Sequence, residues 1–178
     1  MRDEQLQLLA DWQFSKEKFY SEMNTTCPLC GERMKNQMHI FICGKLNGHH
    51  KRIHDILWEK TIPLFKSKYG ALKCPTEKEI GGRPKKKLAP DIRTMFDGQT
   101  FDISISIDPG NMFKTKEDKY GNLFGKKTIP MIISPNFEMH PDTLRLTTKY
   151  IKRSSLFAEW AYWLSYGLVA KVNAYFTY

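Results

Sequence analysis

Asp91-Ile-Arg-Thr-Met-Phe-Asp-Gly-Gln-Thr-Phe-Asp-Ile-Ser-Ile-Ser-Ile107 is the stretch that decides how this chain folds. Phe101, Ile103, Ile105 and Ile107 alternate with Asp102, Ser104 and Ser106, a period of two that predicts a strand with one polar face. Residues 91–95 face that strand across Asp97-Gly98, a dipeptide suited to a tight reversal, so a hairpin is expected. Its two arms carry Asp91 and Asp102, whose carboxylates can converge at one end of the ladder.

Working outward, Pro109-Gly110 ends the second strand and a short helix is expected over 112–120. An apolar strand at 128–134 follows, and His140-Pro141-Asp142 opens a helix expected to run to Arg153, with Pro141 in its first turn. Upstream, a helix is expected from 48 to 68, ended or kinked by Pro63 near Thr61, with a short strand from 71 to 74. Gly81-Gly-Arg-Pro-Lys-Lys-Lys87 reads as a polar linker. An amphipathic lead helix is expected over 3–23, its apolar residues Leu6, Leu8, Leu9, Trp12, Phe14, Phe19 and Tyr20 falling mostly at helical spacing. The order is helix, strand, hairpin, helix, strand, helix, without an internal repeat.

The 178 residues suit one domain plus a small appendage. Lysine and arginine number 28 against 19 acidic residues, a formal net charge of +9 that favours polyanions. An acidic membrane surface would also suit it. Leu156 to Tyr178 is broken by Glu159, Lys171 and Asn173, so it reads as core and not as a membrane span. No basic leader precedes an apolar run at the amino end, so no secretory signal is expected. Cysteines without such a signal indicate a reduced compartment and metal binding over disulfides.

Cys27-x2-Cys30-x8-His39-x3-Cys43 offers three thiolates and one imidazole, the donor set of tetrahedral zinc. Cys27-Pro-Leu-Cys30-Gly makes a tight turn, and His39 and Cys43 stand one helical turn apart. Buried free thiols are the plainer alternative; ligand count and spacing favour zinc. Four protein ligands leave no open position, so such a zinc is structural. His49, His50 and His54 compete as ligands but read better as a basic helix start. Cys74 reads as an inert buried thiol.

Paired carboxylates followed by lysines suit phosphodiester hydrolysis: Asp91 and Asp102 hold Mg²⁺ or Mn²⁺, while Lys116 and Lys119 position water and phosphate. Ordinary surface and turn residues are the competing reading, and Asp97 and Asp108 look like turn formers. Glu77, Glu79 or Asp108 could add a third carboxylate. Arg83, Lys85, Lys86 and Lys87 stand just before Asp91 and are expected to contact DNA phosphates. Arg145, Lys149, Lys152 and Arg153 form a second basic stripe. Trp160, Tyr162, Trp163 and Tyr166 read as core more than as stacking platforms.

Pro90-Asp91, Phe101-Asp102-Ile-Ser-Ile and Lys116-Glu-Asp-Lys119-Tyr120 resemble the P-D, D and K-x-x-K-Y motifs of the restriction-like endonuclease domain of non-LTR retrotransposons. The Cys/His block resembles the CCHC zinc knuckle before that domain, and Gly48-His49-His50 to His54 resembles the basic helix after it. The likeness covers roughly residues 25–150 and rests on motif order. It implies an α/β (α+β) PD-(D/E)xK fold, a mixed central sheet flanked by helices, with a lead helix at 1–24, a knuckle at 25–47 and the nuclease at 48–178. It implies an endonuclease that nicks target DNA to prime reverse transcription in the nucleus. Its partners are DNA, the reverse transcriptase of the same polyprotein and, as a further candidate, element RNA. The loop between the two aspartates is shorter than in that family. Ser104 stands where the wider superfamily has its lysine, so Lys116 or Lys119 is the expected replacement. A non-catalytic zinc-containing nucleic-acid-binding module is the alternative. A protein-interaction domain built on the first helix and the aromatic tail is the third reading.

Overall fold

In the computed structural model, the residues described are 3–4, 7–8, 10–11, 13, 26–33, 39–73, 89–123 and 125–177. Those described between 3 and 13 are helical. The chain forms two units, one of residues 58–157 and one of 1–57 with 158–178.

The first unit is built on the expected hairpin. Strand β1 (Ala71–Lys73) pairs antiparallel with β2 (Ile92–Thr94), which pairs antiparallel with β3 (Thr100–Ile105). Helix α3 (Pro109–Tyr120) then carries the chain to a small ladder, β4 (Asn122–Leu123) with β5 (Lys126–Lys127), and on to β6 (Ile129–Ile133). Strand β6 lies parallel to β3, as a helical crossover requires, giving a mixed sheet of order β1-β2-β3-β6. The strand expected at 128–134 and the helix expected at 112–120 are thus β6 and α3. Gly98 at the hairpin turn has φ +67°, the left-handed conformation that glycine adopts without strain.

All six residues of β3 are buried. One face meets an aromatic cluster in which the Phe101 ring lies 5.1 Å from those of Phe65 and Tyr150, both edge-on. The polar face is dry as well: Thr100, Asp102 and Ser104 are buried, and the Thr100 hydroxyl hydrogen-bonds that of Thr128 at 2.8 Å. Covering both faces of a strand whose chemistry alternates forces its polar groups to find partners inside the fold.

Helix α4 (Pro141–Thr147) starts where expected, with His140 Nδ1 accepting from the Asp142 N–H at 3.2 Å. It stops at Thr147, six residues short of Arg153. The Thr147 and Thr148 hydroxyls donate back to the Thr143 and Leu144 carbonyls at 2.6 Å each, and the chain turns to bring Ile151 beside Phe65. Clustered β-branched residues with such back-bonds disfavour helix continuation. Arg145, Lys149, Lys152 and Arg153 consequently do not share one helix, and no continuous basic stripe forms.

The other unit contains helix α1 (His39–Ile42), most of helix α2 (Asn47–Thr61) and most of helix α5 (Arg153–Thr177). A 3-10 turn through Ile62–Leu64 follows α2, with Pro63 inside it. Ile40, Leu46, Ile53, Leu57, Trp160, Leu164, Leu168 and Val172 make its core. Gly167 of α5 lies so close to Ile53 that a Cβ there would collide with the Ile53 side chain. Of the tail aromatics only Trp160 is fully buried; Tyr162 and Trp163 are half-buried and Tyr166 is exposed, because the apolar content of α5 exceeds one face. Among the described residues no helix is long and apolar enough to cross a membrane.

Candidate active site and metal centre

The register that pairs Ile92 with Phe101 sets Asp91, one residue before β2, across from Asp102 on β3. Just before β2 begins, the Asp91 carboxylate takes the place of a strand partner: its Oδ2 accepts from the Ile103 N–H at 2.7 Å. The Trp58 indole donates to the Asp91 carbonyl at 3.1 Å and fixes the approach to the strand.

Asp102 is only 3% exposed. Its Oδ1 accepts a 2.5 Å hydrogen bond from the Tyr120 hydroxyl, which in turn accepts from Lys119 Nζ at 3.0 Å. Lys116 Nζ stands 2.8 Å from Oδ2. That contact is a close ion pair, and Lys116 is the one described group that meets Oδ2. Burial, and then the charge of Asp91, push the Asp102 carboxyl up; Lys116 and Tyr120 oppose this without cancelling it. Burial and the neighbouring Lys116 charge push the Lys119 ammonium down. Helix α3 delivers Lys116, Lys119 and Tyr120 because i, i+3 and i+4 share a face, and Phe113 anchors it by stacking on His140 at 4.2 Å.

The structure therefore brings together Asp91, Asp102, Lys116 and Lys119, and adds Tyr120. Tyr120 closes the K-x-x-K-Y motif, and its position one turn after Lys116 is the sequence signal for this contact. Asp108 is not beside these groups as a third carboxylate. It caps α3, its Oδ1 accepting from the Asn111 N–H at 3.1 Å. Glu77, Glu79, Cys74 and the basic run Arg83, Lys85, Lys86 and Lys87 lie outside the described residues.

In the other unit, Cys27, Cys30, His39 and Cys43 converge, with all four ligand atoms within 4.8 Å of one another. Gly31, at φ +74°, closes the turn in which the Gly31 N–H donates to the Cys27 carbonyl at 2.9 Å. The Cys43 N–H donates to the His39 carbonyl at 2.8 Å, placing those two ligands one helical turn apart. Cys27 and Cys43 sulfurs are 4.0 Å apart, and Cys30 Sγ is 3.3 Å from His39 Nε2. Tetrahedral zinc with ~2.3 Å sulfur and ~2.0 Å nitrogen bonds needs separations of about 3.8 and 3.5 Å. The four residues form a possible zinc-binding group, and His49, His50 and His54 are not among them. Burial pushes the Cys43 thiol up to about 11, the facing thiols adding to it, so its ionisation calls for a cation.

No protein-family model matches the chain, and no curated protein matches it.

Proposed function

We propose that this chain is a divalent-metal-dependent DNA endonuclease of restriction-like design, stiffened by a structural zinc in the Cys/His group. The observation that carries the reading is a buried Asp102 set across the ladder from Asp91, its Oδ2 held by the Lys116 ammonium at 2.8 Å. Two carboxylates held together with one of them raised form an unfavourable pair that a hard dication relieves. Asp91 and Asp102 fit Mg²⁺ or Mn²⁺ and would hold it, and among the described residues no third acidic group joins them. When bound, such an ion makes water a better nucleophile and screens the phosphoryl oxygens.

The chain's own groups do the rest. The Tyr120 hydroxyl holds Oδ1 and so leaves Oδ2 facing the site. Lys116 is placed to orient the attacking water or to stabilise charge gathering on the phosphate. Lys119 positions Tyr120. The restriction-like motif order adds the expectation of a retroelement origin, with nicking of nuclear target DNA beside a reverse transcriptase of the same polyprotein and element RNA as a further partner. The net charge of +9 suits a phosphate backbone.

Supercoiled plasmid incubated with Mg²⁺ should be nicked, and Asp102→Asn should lose at least about 10²-fold in rate while still binding DNA. Nicking by that variant at the wild-type rate removes the catalytic assignment. The alternative, a non-catalytic zinc-containing nucleic-acid-binding module, draws on the Cys/His group and the charge alone. It predicts salt-sensitive binding with no divalent-dependent cleavage.

A further inference from the structure

We infer that the β2–β3 turn is a wedge that inserts Phe96, supported by Met95, between base pairs of duplex DNA. This rests on the DNA-directed reading above. Phe96 is 74% and Met95 69% exposed, the two most exposed of the large apolar side chains in the described residues. Phe96 stands at the tip of a hairpin whose opposite end carries Asp91 and Asp102, and the Met95 side chain next to it lies along Gly70.

An exposed apolar pair on a mobile loop would collapse onto the surface. Here the backbone beneath it is fastened. The Met95 N–H donates to the Tyr69 and Gly70 carbonyls at 3.0 and 2.9 Å, and the Phe96 N–H to Tyr69 at 3.1 Å. Asp97, next in the chain, accepts from the Thr94 and Tyr150 hydroxyls at 2.6 and 2.9 Å and pairs with Lys126 at 3.1 Å. The Phe96 ring meets Tyr69 edge-on at 5.9 Å, a brace behind the projecting side chain.

Charge selects the occupant. Lys68 and Lys149 lie 5.0 and 6.0 Å from the Tyr69 ring, and Lys66 donates to the Thr148 and Lys149 carbonyls at 3.0 Å each. With Lys126, four lysines lie in this region; Lys126 and Lys149 share the Asp97 carboxylate at 3.1 and 3.6 Å, so the balance of these charges is positive. An apolar point between cations fits a polyanion with a stacked apolar interior; a protein partner would want a broader apolar patch. Phenylalanine and methionine are among the residues that pry base steps apart. Along the strand, Asp91 and Met95 are about 13 Å apart, about four base-pair steps. The wedge would bend or open the duplex beside the bond to be cut.

The test uses short duplexes carrying one 2-aminopurine at successive distances from a site the wild-type protein nicks. Binding should raise its fluorescence several-fold at positions about three to five steps from the nick and not elsewhere. Phe96→Ala should abolish that rise and slow nicking about tenfold, with DNA affinity changed less than about threefold. Phe96→Leu should restore part of both. Asp102→Asn should keep the fluorescence rise and lose only cleavage. If wild type nicks but shows no rise, or if Phe96→Ala leaves the rise intact, the wedge is overturned and the nuclease stands. If no duplex is nicked, 2-aminopurine is scanned along a bound one, and a rise confined to one step leaves the wedge and overturns the nuclease. Absence of DNA binding overturns both, and loss of self-association in Phe96→Ala without effect on DNA identifies a second copy as the occupant.

Discussion

Asp102 is held at a cost to the fold. Its carboxyl titrates above the ordinary aspartate value because burial and the Asp91 charge disfavour the ionised form. Between its unfolded and folded pKa the native state binds more protons than the unfolded chain, so stability falls as pH rises through that window, and the deficit persists above it. A dication bound by the two aspartates would remove the deficit. In EDTA at neutral pH, Asp102→Asn should therefore be no less stable than wild type, whatever it loses in the contact with Lys116, itself partly exposed. Added Mg²⁺ should raise the melting temperature of wild type at neutral pH, less so at pH 4, and not that of the variant. A variant that melts well below wild type in EDTA would show instead that Asp102 is a structural ion-pair partner. Sites that trade stability for reactivity show this pattern.

Helices α2 and α5 meet at a point where only glycine fits. Glycine inside a helix ordinarily costs about 1 kcal/mol relative to alanine, so Gly167→Ala would be stabilising at an open position. Against the Ile53 side chain the added methyl has no room, and overpacking of this kind costs about 1–3 kcal/mol. Gly167→Ala should lower the chemical-denaturation midpoint, and Ile53→Ala should partly rescue the double variant; a midpoint equal to or above wild type would mean the crossing yields. This is also the scale at which the sequence was most and least readable. Strands β2 and β3 were legible because a period of two and Asp97-Gly98 act over adjacent residues. Proline placed the start of α4 and the break after α2 for the same reason, whereas α3 starts at Pro109, three residues before the expected Met112, because Asp108 caps it there. The end of α4 was missed: periodicity continues past Thr147, while the hydroxyl back-bonds and the pull of Ile151 toward Phe65 appear only in three dimensions. The convergence of Asp91 and Asp102 followed from the hairpin. The hold of Tyr120 on Asp102 did not, because it depends on how α3 lies over β3, and the dryness of the polar strand face depends on the same covering.

The Cys/His group draws on both ends of the chain. Lys171 on α5, 1% exposed, donates to the Phe41 carbonyl between His39 and Cys43 at 3.0 Å. Tyr175, one turn further, is buried and hydrogen-bonds Cys27. Burial pushes the Lys171 ammonium down to about 8, and the Cys43 charge opposes that shift. Three thiolates and a neutral imidazole around a dication carry one net negative charge, which a buried ammonium balances; outer-shell partners of this kind commonly change metal affinity by 10–100-fold. Zinc would then fasten residues 158–177 to 26–57, and metal loss should be felt as unfolding of that unit alone. Purified protein should contain about one zinc per chain. Stripping it with a chelator, or replacing Cys27 with Ser, should speed amide exchange in 39–57 and 158–177 while 58–157 keeps its protection. Lys171→Met should release zinc to a competing chelator faster without altering exchange in 58–157. Uniform loss of protection across the chain would instead make the two units one cooperative structure, and unchanged exchange after chelation would remove the metal from the account of this fold.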